Sequence, residues 1–314
     1  MKIGITITNF SWPGPASEMG PTIERIARTA DEAGVDSIWT MDHFFQIRTS
    51  GLPPEAPMLE AYSTLGFIAG HTRRIQLGTL VTSVAYRHPG VLIKIVTSLD
   101  VLSGGRMVLG VGAGAPFNID PTRPTGDNEV GGLGLPFPSL ADRFECLEEL
   151  LRIARQMWRG DEAPFVGKHY HMARPLNSPN ALRRPHPTIL IGGGGERKTL
   201  RLVARYADAC NLFDLPGSEF QHDLPHKLRV LADRCQEVGR DPREIEKTTT
   251  SRFDTGDDPR VAADRLVEHL GELAGIGIDH AIVSPSRAWD LETLEAVVGR
   301  VADVHRIEVA AAPV

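Results

Sequence analysis

Eight short apolar runs, rich in valine and isoleucine, recur along the chain and are separated by stretches of helical periodicity. Such alternation is typical of a parallel sheet covered by helices, whose strands are buried on both faces and therefore do not alternate apolar with polar residues. An open doubly wound sheet usually stops at about six strands, so eight repeats favour a closed α/β barrel, a (β/α)8 TIM barrel. The predicted strands are Ile3–Ile7, Ser37–Met41, Ile75–Val81, Met107–Val111, Thr188–Ile191, Ala209–Phe213, Glu246–Thr250 and His280–Ser284.

The stretches between these strands predict helices with one apolar face. The first candidate helix is followed by Gly34, the residue expected after a helix C-terminus. The stretch from 140 to 158 repeats apolar side chains at helical spacing. The predicted helices are Pro21–Ala33, Leu140–Trp158, Thr199–Tyr206, Pro225–Val238, Pro259–Ala274 and Leu291–Val304.

Two segments interrupt the alternation of strands and helices. Residues 112–138 contain eleven glycines and prolines, too many for a regular element, and form a long loop after the fourth strand. Residues 160–187 form an insertion before the fifth strand, in which Phe165–Met172 predicts a hairpin arm. Catalytic groups of such barrels lie at the C-terminal ends of the strands, so the first loop is expected at the rim. No linker divides the chain, and residues 1–314 are predicted to form a single domain.

Composition excludes several classes of protein. The net charge of −6 and the pI of about 6.0, without a run of basic residues, argue against nucleic-acid binding. No apolar run approaches the ~20 residues that span a bilayer, and the N-terminal residues read as a strand rather than a signal peptide. Three widely spaced cysteines provide neither a disulfide framework nor a metal-binding pair. We therefore expect a cytoplasmic protein without membrane or nucleic-acid partners.

Asp42 and His43 follow an apolar strand and are themselves followed by two phenylalanines. Polar groups at this end of a barrel strand face the active site, and a histidine there can act as a general acid or base near neutral pH. The neighbouring carboxylate can orient the imidazole or bind a polar ligand. The alternative interpretation is a hydrogen-bonded rim histidine beside a helix-capping aspartate.

A run of four glycines, Gly192–Gly195, lies between a strand and a helix and is followed by Glu196, Arg197 and Lys198. Exposed backbone N–H groups and a helix N-terminus together form an anion site that suits a phosphate. The spacing is not that of a nucleotide P-loop. The alternative is a tight turn without a ligand.

Other motifs are weaker. The glycines of Gly110–Gly114 would let a flat ligand approach the backbone, but no helix follows them as a Rossmann fingerprint requires. His169 and His171 have a metal-compatible spacing on one face of a predicted strand, yet exposed arm residues are the favoured interpretation, and no metal site is predicted. Trp12 and Phe44 are candidates either for an apolar substrate pocket or for core packing.

These motifs occur in the order seen in the luciferase-like monooxygenase superfamily, and the chain resembles in particular its F420-dependent oxidoreductases. The resemblance extends from Lys2 to about Val304. Its most specific segments are Asp36–Phe44, Leu77–Thr82 with Tyr86–Pro89, Leu99–Arg106, and Pro187–Leu212.

The resemblance implies that the barrel rim binds coenzyme F420, a deazaflavin, and transfers a hydride between it and a small organic substrate. It implies that His43 is the catalytic residue, that a non-prolyl cis peptide at Leu80–Val81 backs the ring, and that the glycine run holds the phosphate. A homodimer is also implied. The coenzyme contacts implied are Asp42, Leu80, Val81, Thr82, Gly112, Ala113, Asn118, Gly193, Gly194, Gly195, Glu196 and Arg197.

One departure bears on the substrate. Related sugar-phosphate dehydrogenases carry a glutamate after the glycines of the fourth strand, where this chain has Ala115. A glucose-6-phosphate activity is therefore not expected, and the proton donor is open between His43, another rim group and water. The alternatives are an FMN-dependent monooxygenase of the same superfamily, a non-catalytic coenzyme-binding protein, and a barrel lyase or aldolase that would use Lys94 or Lys247.

Overall fold

A computed structural model describes residues 1–47, 51–114, 128–254, 256 and 258–311. Its parallel sheet closes on itself through a pairing of the third and fourth barrel strands, so the predicted barrel is confirmed. The strands that form the barrel are β1 (Lys2–Ile7), β2 (Ser37–Thr40), β3 (Gln76–Thr79) with its short continuation β4 (Thr82–Ser83), β5 (Met107–Gly112), β8 (Thr188–Gly192), β9 (Ala209–Asp214), β10 (Glu246–Phe253) and β11 (His280–Pro285). Two further strands, β6 (Phe165–Val166) and β7 (His171–Met172), form an antiparallel hairpin.

Helices cover the outside of the barrel. Burial on both faces explains the apolar character of the strands: every residue of β5 is buried. The first helix ends at Gly34, which adopts φ 86°, a left-handed conformation that favours glycine. The helices are α1 (Met19–Ala33), α2 (Ala61–His71), α3 (Pro89–Ser103), α4 (Glu129–Gly132), α5 (Leu140–Trp158), α6 (Thr199–Tyr206), α7 (Leu224–Glu237), α8 (Pro259–Gly275), α9 (Leu291–Val298) and α10 (Val301–His305). Among the described helices, none is long and apolar enough to cross a membrane.

The structure corrects four sequence-based expectations about elements. The third strand is interrupted at Leu80–Val81, after which the chain pairs again with β5 through β4. The long segment 112–138 was predicted to lack regular structure, but it contains α4, whose first turn is capped by the Asn128 side chain. The predicted helix Leu291–Val304 is two helices that separate at Gly299 and Arg300. Helices α2 and α3 were not among those predicted.

Arg106, at the end of the segment Leu99–Arg106, fixes the entry into β5. Its guanidinium donates hydrogen bonds to the main-chain carbonyls of Ala69, Thr72, Ile75 and Ser103 at 2.7–3.2 Å. These acceptors lie at the end of α2, before β3 and at the end of α3, so one side chain links the α2–β3 connection to the α3–β5 connection. The segment Leu99–Arg106, which the chain shares with the family it resembles, therefore stabilises the fold and does not contribute directly to the rim.

Candidate functional site

A buried ion pair lies at the C-terminal end of β2. Asp42 is 1% exposed, and both of its carboxylate oxygens accept hydrogen bonds from Arg87, at 2.6 and 3.0 Å. The second Nη of Arg87 also donates to Glu60 at 2.6 Å, and the guanidinium lies 4.7 Å from the centre of the Tyr62 ring. Burial would lower the pKa of Arg87, but the contacts with Asp42 outweigh it and raise that pKa. The Asp42 charge is thus compensated within the protein.

His43 is held by a buried carboxylate that comes from α4. Nδ1 of His43 lies 2.6 Å from Oε1 of Glu129, whose side chain is only 3% exposed. The other oxygen of Glu129 accepts the main-chain N–H of Phe44 at 2.6 Å, and the Tyr86 hydroxyl donates to Oε1. Burial alone would raise the pKa of Glu129, but the hydrogen bond and charge of His43, with the other donors, lower it. The carboxylate is therefore ionised near neutral pH.

The aromatic rings of Tyr86 and Phe44 pack beside the His43–Glu129 pair. Their ring centres are 5.5 Å apart, and Tyr86 also contacts the His43 ring edge-on at 6.3 Å. Burial and the neighbouring Glu129 carboxylate raise the pKa of Tyr86, so its hydroxyl stays protonated and remains a donor. With Nδ1 facing Glu129, the nitrogen of His43 that remains for a ligand is Nε2.

The peptide bond between Leu80 and Val81 is cis, as the family resemblance implied. The Val81 side chain occupies a slot between two glycines. A Cβ built on either Gly112 or Gly192 would lie 3.0 Å from a Val81 methyl carbon, tighter than ordinary packing. These glycines therefore have a structural function, since they make room for the bulge in the third strand.

Thr82, the next residue, is fully buried. Its hydroxyl lies 2.7 Å from the Tyr62 hydroxyl and 3.0 Å from that of Thr79, which in turn donates to the Gly110 carbonyl. Ala113 follows β5, and its carbonyl accepts a hydrogen bond from Arg143 at 3.0 Å. Both residues lie at the C-terminal end of the barrel, but the Thr82 side chain already has protein partners.

The glycine run connects β8 to α6. Gly193 has φ 111° and its N–H donates to the Asn211 carbonyl at 3.0 Å, which turns the chain out of the sheet. Gly194 is buried against the His222 ring and leaves no room for a Cβ there. Gly195 precedes the helix, whose N-terminus has no side-chain cap. Backbone N–H groups at this helix start therefore lack an internal side-chain acceptor.

The charged residues after this run have different surroundings. Glu196 pairs with Lys227 at 2.5 Å and with His226 at 3.1 Å, so its carboxylate faces α7. A ligand contact by Glu196 would therefore use its main chain. Arg197 is exposed and forms no salt bridge with any described residue. Lys198 lies over the Phe144 ring, 5.1 Å from its centre.

The two predicted parts of the site lie at the same end of the barrel. Asp42 and His43 follow β2, and the glycine run follows β8, so both are at C-terminal strand ends of one parallel sheet. The bulge at Leu80–Val81 lies between them: Val81 contacts the glycine that begins the run, and β3 pairs with β2. The two regions therefore do not lie at opposite ends of the barrel.

Other sequence-based candidates have explanations away from the rim. Lys94 donates to the Ser178 carbonyl from the outside of α3, and Lys247 pairs with Asp279, so neither lysine serves a lyase. His169 lies in the turn of the hairpin and not on a strand, contrary to the prediction. Its Nε2 is 2.7 Å from Glu145, which also pairs with Lys168. Asn118 and Ala115 lie outside the described residues.

Sequence reasoning missed Glu129 as a site residue. It also left the function of Arg87 and Tyr86 undecided, although it noted the segment that contains them. Glu129 is the single glutamate in a segment rich in glycine and proline, which also contains Asp120 and Asp127, and this was the only signal for it. That signal does not reveal which of the strand ends the carboxylate reaches.

A parallel barrel whose rim carries a buried acid–imidazole pair and an uncapped, glycine-flanked helix start defines a class of ligand-binding barrel enzymes. The sequence model of the luciferase-like monooxygenase family matches residues 1–307. The chain therefore belongs to the luciferase-like monooxygenase family.

Curated relatives are named F420-dependent glucose-6-phosphate dehydrogenase. The protein from Amycolatopsis mediterranei is 31% identical over 196 residues, 61% of this chain and 52% of that protein. The one from Nakamurella multipartita is 32% identical over 254 residues, 78% of this chain and 68% of that protein. The chain thus spans about half to two thirds of the length of these relatives.

Solved structures share the fold at low identity. An F420-dependent secondary alcohol dehydrogenase in complex with an F420–acetone adduct has a TM-score of 0.68 at 18% identity, over 94% of this chain and 98% of that chain. The FMN complex of the oxygenating constituent of 3,6-diketocamphane monooxygenase from Pseudomonas putida has a TM-score of 0.70 at 16% identity, covering both chains fully. At these identities the similarity shows the fold alone.

Proposed function

We propose that the chain is an F420-dependent oxidoreductase, which transfers a hydride between the deazaflavin and a small organic substrate at the C-terminal barrel rim. The curated relatives support the coenzyme. The observation that carries the proposal is the pairing of His43 with Glu129 at 2.6 Å, beside the cis peptide Leu80–Val81. Bound F420 would supply the hydride chemistry, and the protein would supply orientation, water exclusion and proton handling.

The residues at the rim fit such a coenzyme. The bulge at Leu80–Val81 offers a backing surface for the ring, and the uncapped start of α6 with Arg197 offers donors and positive charge for a phosphate. The charge of Asp42 is neutralised by Arg87, but its carboxylate oxygens retain lone pairs that can accept a hydrogen bond from the coenzyme ring. We assign the remaining contacts to Thr82, Gly112, Ala113, Asn118, Gly193, Gly194, Gly195 and Glu196.

His43 is assigned the proton transfer. The ionised Glu129 accepts a hydrogen bond from Nδ1–H, which leaves Nε2 of a neutral ring as an acceptor for a substrate hydroxyl proton. In the opposite direction, the protonated imidazole would donate from Nε2 and be stabilised by the same carboxylate. The ring is 13% exposed, so it remains accessible from the rim while being largely shielded from water.

The test replaces His43 by alanine and compares turnover with coenzyme affinity. The variant should bind F420 with a dissociation constant near that of the unaltered protein, while turnover falls by roughly 10²–10⁴, the usual contribution of acid–base catalysis. His169→Ala is the matched control, because His169 also contacts a glutamate at 2.7 Å, but in the hairpin. Unchanged turnover in His43→Ala would remove His43 from the mechanism.

Coenzyme choice is tested separately. Fluorescence titrations with F420 and FMN should show tight binding of F420 and weak binding of FMN. Tight FMN binding without F420 binding would instead favour a flavin monooxygenase. Stoichiometric F420 binding without turnover over a broad panel of alcohols and ketones would favour a coenzyme-binding protein. A homodimer in a cytoplasmic location remains our expectation.

A further inference from the structure

A cavity of about 300 Å³ lies on the outside of the barrel. One wall is α5, and another is the C-terminal end of α6, where Arg155 donates to the Tyr206 carbonyl at 2.9 Å. Because the chain enters β9 at Ala209, this cavity lies near the N-terminal ends of the strands, away from the rim. We call it the arginine pocket; its lining residues are Arg152, Arg155, Gln156, Arg159, Phe165 and Tyr206.

The arginine pocket is lined by three guanidinium groups, and the nearby Glu148 carboxylate is used by Arg205 and by the Tyr206 hydroxyl. Arg152, Arg155 and Arg159 are spaced by three and four residues, so they share one face of α5 and its C-terminal end. None of the three forms a salt bridge with a described carboxylate, and no acidic residue lines the pocket. Nε of Arg155 is buried without a hydrogen-bond partner among the described residues.

The surroundings of Arg155 favour the binding of an anion. Burial lowers the pKa of its guanidinium, and the charge of Asp208 offsets this only in part, while Arg240 and Arg159 act in the same direction as burial. Oδ2 of Asp208 accepts the main-chain N–H of Ile189 at 2.8 Å, and Asp208 forms no salt bridge with Arg155. A half-buried cation with an unused buried donor is stabilised when an anion reaches it.

The arginines around the pocket differ in whether the protein provides them with a partner. Arg205, on the last turn of α6, pairs with Glu148 at 2.8 Å. The negative ends of the α5 and α6 dipoles favour nearby cations. Of the three arginines, only Arg155 donates to a carbonyl at a helix end, that of Tyr206 in α6. Helix-end compensation therefore explains one of the three guanidiniums and leaves two.

We propose that the arginine pocket binds a compact phosphate-bearing anion, of the pyrophosphate or small phosphate-ester class. Guanidinium groups match phosphate oxygens in pairs, and three of them suit a ligand with at least two negative charges. The volume is at the lower end for small-molecule sites. Guanidiniums already cover the Phe165 and Tyr206 rings, at 5.1 and 5.2 Å, so neither face is open for stacking a nucleobase.

The test measures binding of inorganic pyrophosphate by calorimetry and by ³¹P line broadening, with sulfate and ADP at equal ionic strength. The double variant Arg152→Gln/Arg159→Gln changes two exposed side chains, so it should fold normally. We expect saturable pyrophosphate binding, weakened about tenfold for each guanidinium removed. The control Arg229→Gln/Arg265→Gln removes the same charge from exposed positions on other helices and should bind as the unaltered protein does.

Several results would overturn the proposal. The first is the absence of saturation below roughly 10 mM pyrophosphate. The second is that the double variant binds pyrophosphate as tightly as the unaltered protein. If F420 displaces that pyrophosphate, the binding site is at the rim and not in the arginine pocket. If sulfate binds as tightly as pyrophosphate, the pocket binds anions without selectivity for phosphate. If ADP binds more tightly than pyrophosphate, the ligand is not a compact anion. The assay needs no turnover, so its outcome is independent of the proposed redox function.

Discussion

Replacing Glu129 by glutamine tests whether the carboxylate beside His43 controls proton transfer. The carboxylate accepts three hydrogen bonds: Oε1 from His43 and from the Tyr86 hydroxyl, and Oε2 from the Phe44 N–H. Glutamine keeps the shape but offers a single acceptor oxygen. With that oxygen toward His43, its NH₂ group meets the Phe44 N–H; in the other orientation it meets His43 and Tyr86.

At least one buried donor therefore loses its acceptor, which costs about 1–3 kcal/mol in the free energy of unfolding. The larger effect is on chemistry, because the protonated imidazole loses its counter-charge. Acid–base catalysis contributes roughly 10²–10⁴ to rate, and we expect Glu129→Gln to lose at least about 10² in kcat. Coenzyme affinity should change little, since no contact with the coenzyme is assigned to Glu129.

The assay combines F420 binding, steady-state turnover from pH 5 to 9 and denaturant unfolding. The pKa of Glu129 is lowered from 4.5, so its stabilising effect is present above about 4.5 and is lost as pH falls through the lowered pKa. The variant should lack this acid-side loss of stability. Glu145→Gln, which alters the glutamate paired with His169, is the matched control. An unchanged kcat and pH profile in Glu129→Gln would refute the role of the carboxylate.

Three further predictions concern packing and charge. Gly112→Ala should destabilise the fold by about 1–3 kcal/mol in denaturant unfolding, because its Cβ would lie 3.0 Å from a valine methyl carbon at the cis peptide; an unchanged midpoint would contradict this. Arg87→Met should cost about 3–5 kcal/mol because Asp42 would remain buried without its partner, and rescue by Asp42→Asn in the double variant checks the cause. The Asp214 hydrogen bond raises the pKa of His269 above 6.5. This pair therefore stabilises the fold below about pH 6.5, and the stabilisation is lost as pH rises through the raised pKa. His269→Gln should abolish this pH dependence of the free energy of unfolding, and a variant that retains it would exclude His269 as its source.

The fold was largely predictable because its signal is repeated. All eight barrel strands were found, since burial on both faces leaves nearly continuous apolar runs. Helices with one apolar face, such as α5, were found within a residue or two of their ends. Helices α2 and α3 are apolar over much more of their surface, so they lack the periodicity on which the prediction depended.

Part of the candidate site could also be predicted from the sequence, because the position of a residue along a barrel strand decides at which end of the barrel it lies. Asp42 and His43 follow the end of β2 after Met41, so their location at the rim follows from barrel topology. The partners of these residues do not follow in the same way. Arg87 and Glu129 are 45 and 86 residues away in sequence from the side chains they bind, and no periodicity links them.

Glu129 shows why transfer of residues from one family member to another is limited. The resemblance implies a glutamate after the fourth strand, where this chain has Ala115, yet a carboxylate reaches His43 from a short helix farther along the same connection. A hydrogen bond requires an acceptor atom at the right place and does not constrain the segment that brings it. The same carboxylate joins the β2 end, through Phe44, to the segment after β4, through Tyr86. A motif comparison that stops at position 115 would therefore report a lost acid, although the structure retains a buried carboxylate against His43.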